Sequence, residues 1–394
     1  MVKLVSMVSK KIPKKRRKIA IIAGSRGEYG YFRPVIREII KRENLDYGIV
    51  ASNMHVLDAF GSSISEIEKD GFKIHTSVFN TFDGYNHLTM TKSLAVFMIQ
   101  LPEILKQMET DMILLAGDRG EQLIGAITGA YMYIPTAHIQ AGEVSGNIDG
   151  VTRHAISKFA HIHFASNKDA LDRVLKMGEE SFRVHNVGAP MLDELVAGFK
   201  TPEKEVYKKF NLDKNRPVML FVYHSVTEEI ADLSWHMDEI LMAVKTFPHQ
   251  IVVILNNSDA GSRVIREKIT SYKTPAMSLY PNVPREDYVG LMNIADVIVG
   301  NSSSGIIEAP TFKLPAVNIG NRQRGRLQST NIVNVGYETA AIKKAITRAI
   351  SKKFKAKVAK CKNPYGDGQS AKRIVDILEF VPIDDKLLIK RITY

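Results

Sequence analysis

A single cysteine, Cys361, in a chain of 394 residues rules out an internal disulfide and a cysteine-rich metal centre. Any chemistry therefore falls to carboxylates, histidine, hydroxyls and backbone groups. The sequence also lacks an apolar run approaching the roughly 20 residues that a bilayer-crossing helix needs, and its N-terminus lacks the order of a secretory signal. These absences predict a cytoplasmic protein with no membrane partner. Acid is missing from residues 1–18, which carry eight lysines or arginines, whereas residues 342–394 hold 14 basic and 5 acidic residues. With those ends (+8 and +9) taken from a net charge of +12, residues 19–341 are left at −5. A body of that sign is not a nucleic-acid surface. The run Lys14-Lys15-Arg16-Arg17-Lys18 has the charge to touch RNA or anionic lipid. No aromatic platform accompanies it, so it reads as a solvated leader.

Low-complexity segments are absent as well, and what remains is an ordinary globular composition, 45% hydrophobic and 24% charged, long enough for two domains. Ile19 to Ala23 form an apolar run, a Gly24-Ser25-Arg26-Gly27 turn follows, and Phe32, Val35, Ile36, Ile39 and Ile40 then fall at helical spacing. The strand–turn–helix unit recurs. Tyr47–Ala51 precedes a helical stretch from about 57, Met112–Ala116 precedes 121–133, and His161–Ala165 precedes 168–177; Pro135–Ile139 adds a further strand. The chain turns polar and proline-bounded at 199–216. A second series follows, with strands at Val218–Val222, Ile251–Leu255, Ala276–Leu279, Val297–Val299 and Ala316–Ile319 and helices near 229–245 and 304–311. Such alternation predicts two α/β, doubly wound Rossmann-like domains facing across a cleft. The expected layout is a leader over 1–18, a first domain over 19–200, a second over 201–365, and a helical segment over 366–394 that packs back on the first domain.

Ligands of open parallel sheets sit beyond the carboxyl ends of the strands, so the polar residues directly after each apolar run are the candidates. They are Arg26 after the first run, Asp118 and Arg119 after 112–116, Gln140 and Glu143 after 135–139, and His224 after 218–222. Gly300-Asn301-Ser302-Ser303-Ser304-Gly305 follows 297–299 and opens a helix. Its amides and hydroxyls either hold an anion such as a diphosphate or cap the helix. It is neither a Walker loop nor a spaced-glycine dinucleotide fingerprint. Glu308, one turn further, has the reach to accept both hydroxyls of a ribose. Asp149 ends the Gly-rich stretch 142–150 and either caps the next helix or reaches a bound sugar.

The set resembles the hydrolysing UDP-N-acetylglucosamine 2-epimerases of sialic acid and related nonulosonate biosynthesis. The resemblance runs from Gly24-Ser25-Arg26 through Gly117-Asp118-Arg119, His138-Ile139, Gly142-Glu143, Asp149 with Arg153-His154, His224 and Asn257. It continues through Gly300 to Glu308, Arg322-Gln323, Gly325-Arg326 and Asn363 to Gly368. It implies the glycosyltransferase-B-like architecture, with UDP held mainly by the second domain and the sugar facing the first. It assigns Asp118 and Asp149 to catalysis and Ser302, Ser303, Ser304, Gly305 and Glu308 to the UDP clamp. Arg26, Arg119, His224, Asn257 and Arg322 become substrate and diphosphate contacts, with no metal and no cofactor. Where many members carry glutamate after His-Ile, this chain has Gln140, which cannot act as acid or base, so Glu143 becomes a further proton-transfer candidate.

The implied reaction couples loss of the C2 proton to departure of UDP from C1, followed by hydration of the resulting glycal. The substrate is UDP-N-acetylglucosamine or a 2,4-diacetamido-6-deoxy analogue, and the family's habit implies a homodimer or homotetramer. Rival readings are a non-hydrolysing epimerase, a retained glycosyltransferase activity and a silent UDP-sugar-binding protein.

Overall fold

The computed structural model describes residues 16–57, 63–82, 86–144, 148–256 and 260–393. In the first half, buried β-rich runs form β1 (Arg17–Ala23), β2 (Leu45–Ser52), β3 (Ile74–Val78), β4 (Met112–Ala116), β5 (Thr136–Ile139), β6 (Ile162–Ala165) and β7 (Val184–Asn186). Between and after them lie α1 (Arg26–Ile40), α2 (Ile64–Lys69), α3 (His87–Gln107), α4 (Gly120–Tyr131), α5 (Ile148–Phe159), α6 (Lys168–Lys176) and α7 (Met191–Val196). All seven strands pair in parallel in the order β3-β2-β1-β4-β5-β6-β7.

The second half repeats the plan with α8 (Glu203–Lys209), β8 (Val218–Val222), α9 (Leu233–Val244), β9 (Gln250–Ile254), α10 (Ser262–Ser271) and β10 (Met277–Tyr280). It continues with α11 (Arg285–Ile294), β11 (Val297–Gly300), α12 (Ser304–Ile307), β12 (Ala316–Ile319), β13 (Ile332–Val335), α13 (Thr339–Ile350) and α14 (Lys352–Val358). Six parallel strands are ordered β10-β9-β8-β11-β12-β13. Each sheet reverses its strand order once, between β1 and β4 and between β8 and β11, and these switch points open the crevices where ligands bind.

The strands read from sequence are present to within a residue or two at each end. The expectation missed β3, β7 and β13, which are edge strands: Ile74 to Val78 alternates half-buried and exposed positions instead of forming an apolar run. It also missed α3, a 21-residue helix that packs Phe97, Leu101 and Leu105 against β1 and β4. By length and composition alone α3 passes for a membrane span, but Lys92, Glu103 and Lys106 interrupt its apolar run and its buried face lies on the sheet. Near 229–245 the chain forms a 3-10 stretch, Thr227–Asp232, with non-helical φ/ψ at Glu229, before α9 begins.

After α14 the chain returns to the first unit. Helix α15 (Ser370–Phe380) packs on α1, and the Arg17 guanidinium donates to the carbonyls of Leu378 and Val381. The Asp193 carboxylate caps α15, accepting from the amides of Ser370 (3.0 Å) and Ala371 (2.6 Å). A short α16 (Asp385–Leu388) ends the described chain against the first unit, where Arg183 donates to the carbonyls of Lys386, Leu387 and Ile389.

Candidate active site

The carboxyl ends of both sheets face one cleft of about 250 Å³, bordered by Ser25, Asp118, Arg119, Gln140 and Asp149 from the first unit and by His224, Ser302, Ser303, Ser304, Glu308 and Arg322 from the second. Asp118 sits just past β4, after Gly117, whose φ of 81° turns the strand sharply. Its carboxylate is gripped by the Arg153 guanidinium in a short ion pair, and Arg153 also donates to the Gln140 carbonyl at 2.9 Å. Arg153 is almost fully buried, so this pair fixes Asp118 against the cleft wall. Asp149 lies in the first turn of α5, one helical turn before Arg153, on the same wall.

Gln140 occupies the left-handed region (φ 64°) and is 2% exposed, with its side-chain Nε2 buried and unpartnered at the cleft. The strain of that conformation turns the residue out of line with β5. Glu143 is carried behind the wall instead: it accepts from Asn167 Nδ2 at 2.6 Å and faces Arg326 Nε at 3.7 Å, and it does not border the cleft. Burial raises its carboxyl above the ordinary range, against the pull of Arg326 and Arg153.

On the opposite wall Gly300 ends β11 at φ 137°, where a Cβ would collide with the carbonyl oxygen of Val222. Only glycine allows β11 and β8 to approach so closely there. The next residue, Asn301, ties the wall together: His224 N–H donates to its Oδ1 (2.7 Å), its Nδ2 returns a bond to the His224 carbonyl (2.8 Å), and Gln323 Nε2 (2.9 Å) and Arg322 donate to its carbonyl. The three serines then present hydroxyls at the mouth of α12. Gly305 does not border the cleft; it lies beneath, against Ala316 and Ile298. Glu308 is 2% exposed and forms a short ion pair with Arg285.

Of the other candidates, Asn257 lies outside the described residues, and Arg26 opens α1 without a described side chain. Sequence reading passed over Glu28, Arg153, Arg285, Tyr288 and Arg326 as site residues, all of which border the cleft. Arg153 carried a signal, its i+4 spacing from Asp149; Arg285 and Tyr288 carried none, because α11 reaches the cleft only through the tertiary fold. Glu28 closes a capping box with Ser25 and accepts from the amides of Gly24 (2.8 Å) and Ser25 (2.9 Å). Burial, reinforced by the neighbouring Glu121 carboxylate, pushes Glu28 up to about 8. The cleft thus joins a cationic rim of Arg119, Arg153, Arg285, Arg322 and Arg326 to carboxylates on the first wall and hydroxyls on the second, a composition suited to an anionic leaving group and proton transfer.

A family model described as UDP-N-acetylglucosamine 2-epimerase matches residues 37–379. The chain is 33% identical over 376 residues to the hydrolysing UDP-N,N'-diacetylbacillosamine 2-epimerase of Legionella pneumophila, covering 95% of this chain and 98% of that one. It is 31% identical to the hydrolysing GDP/UDP-N,N'-diacetylbacillosamine 2-epimerase of Campylobacter jejuni, covering 86% and 89%. Its fold superposes on a crystal structure of UDP-GlcNAc 2-epimerase from Neisseria meningitidis bound to UDP-GlcNAc with a TM-score of 0.78, at 21% identity and with 92% and 99% of the two chains covered. Two parallel-sheet units, a shared cleft lined by paired carboxylates and arginines, and a match over most of the sequence place this chain in the UDP-N-acetylglucosamine 2-epimerase family.

Proposed function

We propose that the protein is a hydrolysing UDP-sugar 2-epimerase, releasing UDP and a free 2-epimerised N-acetylamino sugar. The observation that carries this reading is the cleft itself, where Asp118 and Asp149 face the Ser302–Ser304 helix mouth, together with likeness to relatives named as hydrolysing enzymes. UDP lies on the second wall, its ribose hydroxyls toward Glu308 and its diphosphate at the serines with Arg322, Arg119 and His224. The sugar faces the first wall.

A carboxylate takes the C2 proton while the C1–O bond breaks and its electron pair leaves with UDP, giving a 2-acetamidoglucal. The arginine rim offsets the charge that develops on the leaving diphosphate. Water then adds across the double bond, hydroxyl to C1 and a proton to C2 from the opposite face. Asp149 takes the C2 proton from one face of the ring, and Asp118, fixed by Arg153, orients the sugar and passes a proton from the incoming water to C2 on the other face. Gln140 supplies a hydrogen bond and no proton. The deciding experiment incubates the enzyme with UDP-sugar in chelator and follows both products. Free UDP in equal amount with the free epimer is expected; a product made only of UDP-linked epimer would mean the non-hydrolysing reaction.

The reading includes a homo-oligomer, dimer or tetramer, built on α3. Its outward stripe carries Leu88, Ala95, Met98 and Ile99, the last 77% exposed, with Lys92 between Leu88 and Ala95 and Glu103 one turn beyond Ile99. A second copy laid antiparallel brings Lys92 of one protomer opposite Glu103 of the other, so the stripe complements itself in charge as well as in apolar surface.

A further inference from the structure

The first sheet reverses its strand order between β1 and β4, and Glu28 sits in the crevice that this reversal opens. Two glycine turns lie against it. A Cβ added at Gly24, after β1, would stand 3.3 Å from its Oε2, and one added at Gly117, after β4, would stand 3.7 Å from its Cγ. Glu28 borders the cleft yet is only 3% exposed. Its two oxygens are in different situations. Oε2 accepts from the amides of Gly24 (2.8 Å) and Ser25 (2.9 Å), which occupies both of its lone pairs, whereas Oε1 is buried with no partner. A capping box uses one carboxyl oxygen, so capping alone gives no reason to bury the second. A neighbouring carboxyl decides the charge. The same Cβ at Gly24 would lie 3.4 Å from the carboxyl carbon of Glu121, so both acids converge on one glycine. Glu121 takes a short bond from Asn53 Nδ2 and faces Arg119 Nε at 3.8 Å, which equips it to stay ionised. Two adjacent buried carboxyls do not both ionise, and Glu28 is the one that keeps its proton. Burial first and the Glu121 charge second push it up to about 8; Asp118 acts in the same direction, and Arg119 and the Gly24 amide pull against them. With Oε2 occupied as an acceptor, the proton sits on Oε1.

We infer that Glu28 binds the sugar as a neutral carboxylic acid, its Oε2 remaining on the backbone amides while Oε1–H donates to the carbonyl oxygen of the 2-acetamido group. This rests on the UDP-sugar reading above. The acetamido carbonyl is the matching partner because it only accepts, whereas each sugar hydroxyl both donates and accepts and would be held by the acid in either charge state. A donor fixed by two backbone amides places the acetamido group, and with it C2, without rearrangement on binding. An arginine could donate to the same oxygen but would add a cation beside Asp118; a protonated carboxyl donates without altering the charge of the wall. Ionised Glu28 would turn a negative oxygen on the carbonyl, so the bond is lost and replaced by repulsion. Glu28 therefore selects a 2-acetamido sugar over its 2-hydroxy counterpart, and the selection fades as the acid ionises.

The test measures, by calorimetry on the full chain, the dissociation constants of UDP and of the C-glycosidic analogues of UDP-N-acetylglucosamine and UDP-glucose, in which a methylene replaces the anomeric oxygen so that neither turns over. Their ratio cancels ionisations of the shared UDP. Wild type is expected to favour the acetamido analogue by about tenfold or more at pH 7, and to lose about tenfold of that preference by pH 9 as the acid ionises. Glu28→Gln offers an oxygen to the two amides and an N–H in place of Oε1–H, so it should keep the preference and hold it constant across the same range. Glu28→Leu, which has no donor, should bring the ratio toward one at every pH, with UDP affinity reporting that it is folded; if it does not fold, the glutamine variant decides alone. A wild-type ratio that stays constant from pH 7 to pH 9, or one that changes equally in Glu28→Gln, overturns the inference and leaves Glu28 as a helix cap. Absence of binding by UDP and both analogues would refute the UDP-sugar reading itself, whereas UDP binding with a constant ratio refutes only the role of Glu28.

Discussion

Asp149 and Asp118 share a wall but not an environment. Arg153 grips Asp118 and is itself anchored to the Gln140 carbonyl, so Asp118 is held in place by a buried cation, whereas Asp149 reaches the cleft from the first turn of α5. The division of labour proposed above makes Asp149→Asn lower turnover by about 10²–10⁴ while UDP affinity stays near wild type. Wild-type enzyme in deuterated water should place deuterium at C2 of the product; glycal released by the variant, visible by NMR, would place Asp149 in the hydration step instead. Near-normal turnover would return Asp149 to the role of a helix cap. Glu28 makes a second residue-scale prediction. Its carboxyl is raised to about 8 by burial and by Glu121, so its stabilising contribution is full below its unfolded value near 4.5 and is lost as pH rises through 8. Glu28→Gln keeps an acceptor for the Gly24 and Ser25 amides but cannot ionise. Urea unfolding should therefore show the variant gaining on wild type between pH 4.5 and 8, by a few kcal/mol at about 1.4 kcal/mol per pKa unit, and holding level above. A gap that does not change with pH refutes the buried-acid account. Residues at strand ends, such as Asp118 and Gln140, were legible in sequence because topology dictates where they go. Arg285 was not, since its role depends on which carboxylate the fold delivers to it.

Among the elements, buried strands were the easiest to read, because an apolar run such as Met112–Ala116 has no other stable place than the middle of a sheet. The edge strands β3, β7 and β13 escaped for the opposite reason, whereas the edge strand β10 was read from its apolar run. Helix α3 was illegible in a different way: its apolar residues cover more than one face, so its periodicity is weak, and half of what would define it lies outward at Leu88, Met98 and Ile99. That surplus is what the self-pairing reading uses. Ile99→Asp, which places a charge at the centre of the stripe, is expected to shift the protein toward monomer in light scattering while leaving its circular dichroism unchanged. Retention of the wild-type mass would move the interface elsewhere on the molecule.

Across the whole molecule, the two units are joined by two crossings of the chain, one before α8 and one ahead of α15, lying side by side where Ala189 N–H donates to the Tyr365 carbonyl at 2.7 Å. The second crossing makes the C-terminal segment part of the first unit's stability although it follows the second unit in sequence. Beyond α15, buried Leu387 and the bonds from Arg183 to three carbonyls hold the end of the chain, and Lys390 donates to the carbonyls of Ser157, Lys158 and Ala160. Lys390 also pairs with Glu179 at 2.7 Å. Burial alone would raise Glu179, but the bond from His163 and the Lys390 charge outweigh it and hold the carboxyl down at about 2. A depressed carboxyl stabilises above its unfolded value near 4.5 and loses that contribution as pH falls toward 2, so acid should loosen the tail before the sheets. Hydrogen exchange followed from pH 6 to pH 3 should show the amides of Leu387 and Thr393 losing protection ahead of those in β4. Removing residues 382–394 should cost roughly 2–5 kcal/mol of unfolding free energy, because Arg183 loses three buried acceptors and Leu387 leaves its pocket. A truncated chain that unfolds at the same urea concentration as wild type would show instead that the tail lies on the first unit without supporting it.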